Sequence, residues 1–400
     1  MSRGGATEDL QELLARRRVM VICGTGGVGK TTISATLALG AALSGRRALV
    51  MTIDPARRLA DALGITGELN EPMRIDAGPG CTGTLDAMML DAKATFDDTV
   101  RRFASSPEAA ERVLSNEYYQ RASATLSGSQ EYMAMEKLLE VHASGRWDLV
   151  VLDTPPTRNA LDFLEAPDRM MRIVEQGAMR WLGAARDDSK RFSAARAGLR
   201  IFGKGKEKLF GVFERFTGSE VVQNLSEFAT VFGGLMPGFR ARARGVMDLL
   251  QSNDTTFLMV ASPNRAALSE ALYFHDRLTE AVLPFAGFVI NRVRELRTSP
   301  GRTPATPWAA GFERRPGDPS WDGALESIWQ NHRRRVHLAA ADRERIEDLR
   351  GHCGDDLLYK EVPELDTDVH DLPALRELLD RLGGPPAAGN TSGGRDVPSP

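Results

Sequence analysis

A glycine-rich stretch, CGTGGVGKTT at residues 23–32, contains residue types suited to phosphate binding. Its spacing fits two templates, the G-x-G-x-x-G of dinucleotide folds and the G-x-x-x-x-G-K-T of phosphate loops. Lys30 favours the phosphate loop, because a dinucleotide fold requires close helix–strand packing where this cation stands. A dinucleotide site, with Asp54 on the ribose, or a turn without a ligand remains the alternative.

The phosphate-loop hypothesis gives each part of this stretch a role. Backbone N–H groups would surround the phosphates, while the Lys30 ammonium would reach the β- and γ-phosphate oxygens. The Thr31 hydroxyl would be a ligand of Mg²⁺. The residues expected to contact the nucleotide are Gly26, Gly27, Val28, Gly29, Lys30, Thr31 and Thr32.

A second acidic position follows an apolar run much further along the chain. The run LVVL ends at Asp153, and two prolines come shortly after it. A carboxylate at such a strand end fits the second acid of a phosphate-loop ATPase, close to the magnesium ion. An aspartate that only caps the strand is the alternative, and pairing with the glycine-rich loop favours the magnesium role.

Alternating strand and helix patterns must position these groups. Several of the strands are continuous apolar runs, which is typical of strands buried on both faces of a parallel sheet. The pattern predicts a doubly wound, mainly parallel α/β sheet of the P-loop NTPase type. The predicted strands are Val19–Cys23, Ala48–Ile53, Thr84–Leu90, Leu149–Asp153, Thr256–Ala261, Gly287–Asn291 and Leu357–Glu361.

The sequence divides into four parts. Residues 1–160 form the first part of the ATPase domain, with a helical region at about Phe96–His142, and residues 161–252 form an inserted α-helical subdomain. Residues 253–382 complete the ATPase domain and include an exposed loop near 297–322, rich in Pro, Gly and Arg. Residues 383–400 have the composition of a disordered tail.

Composition excludes several classes of protein. A net charge of −3 does not indicate nucleic-acid binding. The sequence has neither a signal-peptide pattern nor an apolar run of membrane-spanning length. The three cysteines are far apart and form no C-x-x-C pair. We therefore expect a cytoplasmic protein that is not itself transmembrane and has no disulfide framework.

Three segments together resemble the nucleotide motifs of the ArsA-type ATPases, a family that includes the arsenite-pump ATPase and the targeting factor for tail-anchored membrane proteins. They are GTGGVGKTT, MTIDPARRLADALG and VLDTPPTRNALDFL. The segment GSQEYMAME, Gly128–Glu136, resembles bacterial members in particular. The likeness covers, more loosely, most of the chain to about Leu382.

This resemblance implies roles for residues outside the glycine-rich loop. Asp54 would orient the attacking water and help to bind Mg²⁺, and Asp153 would begin the second switch region. Asn291 would contact adenine, since its amide can both donate and accept hydrogen bonds. Asp61 matches a later acid of the first switch or serves only as a helix N-terminal charge. Pro363 would close the base pocket or be an ordinary loop proline.

The sequence also departs from the family pattern. Thr25 replaces the signature lysine that in the family reaches the nucleotide of the partner subunit, and Asn159 replaces the usual histidine of the second switch. The paired zinc cysteines and the arsenite-binding cysteine cluster of the family are missing. Arsenite binding through three thiolates is therefore not expected.

The predicted helical insertion contains features of a partner surface. Between Arg180 and Arg215 there are ten Lys or Arg and four Asp or Glu. Apolar residues follow at helical spacing, at Leu209, Val212, Phe213, Phe216, Leu225, Phe228, Phe232 and Leu235. This stripe forms either the core of the insertion or a groove for an apolar client.

The overall expectation is an ATP- and Mg²⁺-dependent ATPase that acts as a dimeric switch. It would be a homodimer, or a heterodimer with a related ATPase, and would act on a membrane-protein client or a membrane transport partner. One alternative is a regulatory pseudo-ATPase subunit that pairs with a lysine-bearing relative. Another is a partition or positioning ATPase of the related group.

Overall fold

The computed structural model describes residues 9–53, 58–65, 71–116, 119–120, 129–155, 237–238, 241–295, 319–365 and 367–384. The strands are β1 (Val19–Cys23), β2 (Arg47–Thr52), β3 (Met73–Ile75), β4 (Thr84–Met89), β5 (Leu149–Asp153), β6 (Thr255–Ala261), β7 (Phe285–Val293) and β8 (Leu358–Pro363). The helices are α1 (Leu10–Arg16), α2 (Lys30–Leu43), α3 (Arg58–Leu63), α4 (Ala92–Phe103), α5 (Pro107–Leu114), α6 (Ser129–Ala143), α7 (241–251), α8 (Arg265–Glu280), α9 (Pro319–Cys353) and α10 (Leu372–Arg381).

The strands form one eight-stranded sheet in the order β3-β4-β2-β5-β1-β6-β7-β8. Only the pairing of β3 with β4 is antiparallel. The carboxyl ends of β2, β5 and β1 therefore lie side by side, at the place where the chain changes its direction of travel across the sheet. Ligands of doubly wound sheets bind at such switch points. The predicted α/β P-loop NTPase fold is confirmed.

Helices cover both faces of the sheet. In β1, Val19, Val21 and Cys23 face the layer that contains α4–α9. Met20 and Ile22 face the other layer, which contains α1, α2, α3 and α10. Every residue of β1 is buried, which explains its unbroken apolar sequence.

All seven predicted strands are present, with ends that differ by no more than two residues. The short edge strand β3 was not predicted. The predicted C-terminal end of the loop near 297–322 was wrong, because residues 319–322 belong to α9, which begins at Pro319. Proline fits the first turn of a helix, where its missing N–H has no helical partner.

Much of the predicted insertion lies outside the described residues, including its basic segment and its apolar stripe. Within the insertion, residues 241–251 are helical. Of the predicted tail, Gly383 and Gly384 are described, and Gln11 Nε2 donates to the Gly383 carbonyl at 3.2 Å.

Candidate nucleotide site

The glycine-rich loop joins β1 to α2 in the conformation that phosphate binding needs. Gly29 is the N-cap of α2, with φ +96°, and makes no side-chain capping bond. A Cβ atom at Gly29 would lie 2.4 Å from Asn291 Nδ2, so an added side chain would have to displace that amide as well as adopt a positive φ. The first N–H groups of a helix lack intrahelical partners and attract anions. The loop therefore fits a phosphate cradle.

Lys30 is held inside this loop. Its side chain is 7% exposed, and its Nζ donates to the carbonyl oxygen of Thr25 at 2.9 Å. The side chain thus turns back over the loop that precedes its own helix. A nearly buried ammonium at the amino end of a helix favours an anionic ligand, because it adds to the positive end of the helix dipole.

Asp153, at the end of β5, accepts hydrogen bonds from the hydroxyl groups of two threonines, one on α2 and one on β2. It is 1% exposed, and its Oδ2 accepts hydrogen bonds from Thr31 Oγ1 at 2.7 Å and Thr52 Oγ1 at 3.0 Å. These two donors stabilise the negative charge of the buried carboxylate. The hydroxyl of Thr31 and the carboxylate of Asp153 are hard oxygen donors beside the loop, so they fit a magnesium ion.

Thr52 and Thr154 were missed by sequence analysis. Thr154 Oγ1 donates to the Ile22 carbonyl at 2.8 Å, which fixes the turn after β5 against β1. Both threonines stand next to predicted strand ends, and that position is the only signal in the sequence that could have pointed to them.

Cys23 lies immediately before the loop but does not take part in acid–base or nucleophilic chemistry. The thiol is 3% exposed, and burial raises its pKa to about 12, although the nearby Lys30 ammonium opposes this effect. At neutral pH it is therefore a protonated, packed side chain.

Asn291 contacts the phosphate loop. Its Nδ2 donates to the Val28 carbonyl at 2.8 Å, and its Oδ1 accepts from the Arg292 N–H at 2.9 Å. Arg292 has φ +63°, and the pairing of β7 with β8 is irregular between Ile290 and Val293. The two bonds use half of the hydrogen-bonding capacity of the amide. The structure thus gives Asn291 a contact that the sequence did not predict.

The remaining predicted residues are placed as follows. Asp54 and Asn159 lie outside the described residues. Gly26 and Gly27 are exposed, Val28 is buried, and the Thr32 carbonyl accepts from Thr36 Oγ1. Asp61 is exposed in the first turn of α3, and Pro363 is the last residue of β8.

A second polar cluster lies away from the loop, in the helix that contains most of the GSQEYMAME segment. Glu136 of α6 is 1% exposed and accepts a hydrogen bond from Arg242 Nε of α7 at 2.6 Å. Arg102 of α4 is 3.9 Å from the same oxygen. Burial raises the pKa of Glu136, and the nearby Arg242 opposes that shift. The Glu136 carboxylate thus links α6 to α7 and α4 through its ion pairs with the two arginines.

The described residues contain no group of three or more His, Cys, Asp or Glu side chains that could hold a metal ion. None of the described helices is long and apolar enough to cross a membrane.

Residues 17–180 match the model of a family described as anion-transporting ATPase. Over this segment the chain resembles the ArsA-type ATPases. This ArsA-type segment contains the phosphate loop, Lys30, Thr31 and Asp153, so the predicted resemblance is confirmed.

Individual relatives match over a similar length. A Mycobacterium tuberculosis protein, Rv2184c, is 34% identical over 179 residues, which are 40% of each chain. An ATPase GET3 from Phaeosphaeria nodorum is 29% identical over 171 residues, 42% of this chain and 51% of the relative. A putative arsenical pump-driving ATPase from Halobacterium salinarum is 28% identical over 173 residues, 40% of this chain and 26% of the relative. Each match thus spans between a quarter and about half of the relative.

Proposed function

We propose that this chain binds Mg²⁺ and ATP at the loop of residues 24–32 and hydrolyses the β–γ phosphoanhydride bond. One observation carries the proposal. At a helix N-terminus capped by Gly29, the Lys30 ammonium folds back over the loop and the Thr31 hydroxyl donates to Asp153. The family match and relatives that are named as ATPases support it.

In this proposal, the residues of the site bind and polarise the phosphates. The N–H groups at the start of α2 hold phosphate oxygens, and the Lys30 ammonium moves from the Thr25 carbonyl to the β- and γ-phosphates. Thr31 and Asp153 hold Mg²⁺, which supplies charge neutralisation for the transferred group. Asp54, which follows β2 in the sequence, orients the attacking water.

We further propose that turnover drives a dimeric switch that acts on a membrane transport partner or a membrane-protein client. The halobacterial relative is named as a putative arsenical pump-driving ATPase, which supports a transport partner. The family resemblance supports a membrane-protein client.

Thr25 supports a second candidate, a regulatory subunit that binds ATP and depends on a partner for hydrolysis. The threonine side chain carries no charge and is shorter than the family lysine, so it cannot supply a cation to a second nucleotide. The same nucleotide site serves both candidates, and only the rate of turnover distinguishes them.

Nucleotide binding is tested first, by titrating the chain with a fluorescent ATP analogue and Mg²⁺. Lys30→Met should weaken binding at least tenfold, because the loop loses its cation. Lys93→Met is the matched control, since Lys93 pairs with Asp97 on α4 and has no role in the loop. Equal losses in the two variants would contradict the proposed site.

Turnover is tested next, with the chain alone, with Thr25→Lys, and with the chain mixed with a lysine-bearing relative. Rapid hydrolysis by the chain alone would exclude the regulatory subunit. Activity that appears only in the mixture would exclude a self-sufficient ATPase. A rate increase in Thr25→Lys would show that the missing cation limits the native chain.

A further inference from the structure

Part of α9 is exposed over many consecutive residues. The whole helix has 35 residues, a length of about 52 Å. From Ala339 onward it is anchored by Ala339, Ile346 and Leu349, which are at most 4% exposed. By contrast, every residue from 327 to 337 is exposed. We call residues 327–337 the basic arm.

The basic arm has an unusual charge for this protein. It contains Arg333, Arg334 and Arg335 together with two histidines, and no acidic residue, in a chain of net charge −3. The guanidinium of Arg333 lies over the Trp329 ring, 5.8 Å from its centroid. A partner that covers this arm must therefore carry negative charge.

The arm also exposes large apolar side chains. Ile328 is 50% exposed, Trp329 42% and Val336 36%, and they form most of the large exposed apolar residues in the described part of the chain. At about 100° per residue, these three side chains fall within one sector of about 100°, which also contains His332 beside the Trp329 ring. Exposed apolar groups that cluster in this way mark an interaction surface.

The cations flank this apolar sector. On the same helical projection, Arg333 and Arg335 lie on its two sides and Arg334 lies on the opposite face. This order suits a lipid interface, where apolar side chains enter the acyl boundary and arginine stems carry their guanidinium groups up to the phosphates. Nucleic acid would use the arginines but would leave the apolar sector in water. A lipid surface uses both features.

We propose that the basic arm docks on an anionic phospholipid surface, with its axis in the headgroup plane and Ile328, Trp329 and Val336 towards the acyl chains. The arm shares no residue with the nucleotide site, so we expect docking without ATP. Because each arginine near an anionic bilayer adds a favourable increment, loss of two should weaken binding about 30-fold.

The test is co-flotation of the full chain with vesicles of phosphatidylcholine alone or mixed with phosphatidylglycerol. Binding is expected only to the anionic vesicles and should fall with added salt. The double variant Arg333→Gln/Arg335→Gln should show the 30-fold loss, and Trp329→Ala should bind more weakly than the native chain. Arg244→Gln/Arg343→Gln is the matched control, because it removes the same charge from exposed positions outside the arm.

Fold integrity is checked by thermal unfolding, which the arm variants should leave unchanged because the arm has no buried side chain. Equal flotation of the arm variant and the control would overturn the proposal, as would equal binding to neutral vesicles. Arm-dependent binding to duplex DNA or to an acidic polypeptide, without vesicle binding, would assign the surface to another partner and would also overturn it. Nucleotide titration of the same variants separates this proposal from the one for the ATP site.

Discussion

Asn291 and Gly29 offer a direct test of how the phosphate loop is held. The Asn291 amide donates to Val28 and occupies the space that a side chain at Gly29 would need. In Gly29→Ala we expect two costs. The left-handed φ costs an alanine about 1–2 kcal/mol, and displacement of the Asn291 amide costs about 1 kcal/mol of hydrogen bonding.

The second cost can be isolated with a double-mutant cycle. Asn291→Ala alone should destabilise by about 1 kcal/mol, because the Val28 carbonyl loses its donor. In the double variant Gly29→Ala/Asn291→Ala that bond is already lost, so the total should be about 1 kcal/mol smaller than the sum of the single effects. Gly27→Ala is the control, since Gly27 also has a positive φ, +79°, but no atom within 4 Å of an added Cβ.

Urea unfolding of the native chain, the three variants of the cycle, and the controls Gly27→Ala and Gly27→Ala/Asn291→Ala measures these differences, provided that all share one m-value. The Gly27 and Asn291 effects should add within about 0.5 kcal/mol. If the Gly29 and Asn291 effects were equally additive, the contact between loop and amide would not exist in solution, and the explanation for glycine at position 29 would reduce to φ alone.

Three further predictions concern charge and burial. Arg47 donates hydrogen bonds to Asp148 and lowers the pKa of that carboxyl to about 2, so the pair contributes stability above the unfolded value of about 3.9 and loses it as pH falls towards 2. Arg47→Met should therefore cost only a little stability at pH 7, because both side chains are substantially exposed, and the deficit in an unfolding titration should vanish near pH 2. Arg242→Met should cost about 3–5 kcal/mol at pH 7, since it leaves the Glu136 carboxylate buried without its closest cation. A raised folded pKa means that this loss shrinks as pH falls through that pKa, so unfolding at pH 5 should show a smaller deficit than at pH 7, and a pH-independent deficit would refute the charge argument. Cys23 should resist alkylation at pH 8 in the folded chain and react only after denaturation, as followed by mass spectrometry.

Much of the fold could be predicted because its signals are local. β1 and β5 are unbroken apolar runs with sharp ends, and their bounds were predicted without error. The edge strand β3 could not be found, because a three-residue strand with one exposed residue carries almost no periodic signal. Its pairing depends on β4, which lies ten or more residues along the chain.

The site residues could be predicted where their role is indicated by their immediate neighbours in the sequence. Lys30 and Thr31 follow their glycines directly, and Asp153 ends an apolar run. The contacts of Asn291 could not be predicted, because Val28 is 263 residues away and only the fold brings them together. The same reason hid the pairing of Glu136 with Arg242, which are 106 residues apart.

Position 25 contributes to the loop through its backbone. The group that receives the Lys30 ammonium is the carbonyl oxygen of residue 25, and every amino acid supplies that oxygen. The side chain at position 25 can therefore change while the hydrogen bond from Lys30 Nζ to the main chain is kept. Residue 25 therefore has two functions that evolve separately. Its carbonyl oxygen binds the Lys30 ammonium whatever the side chain is, whereas a cation on its side chain can be lost or regained by a single substitution.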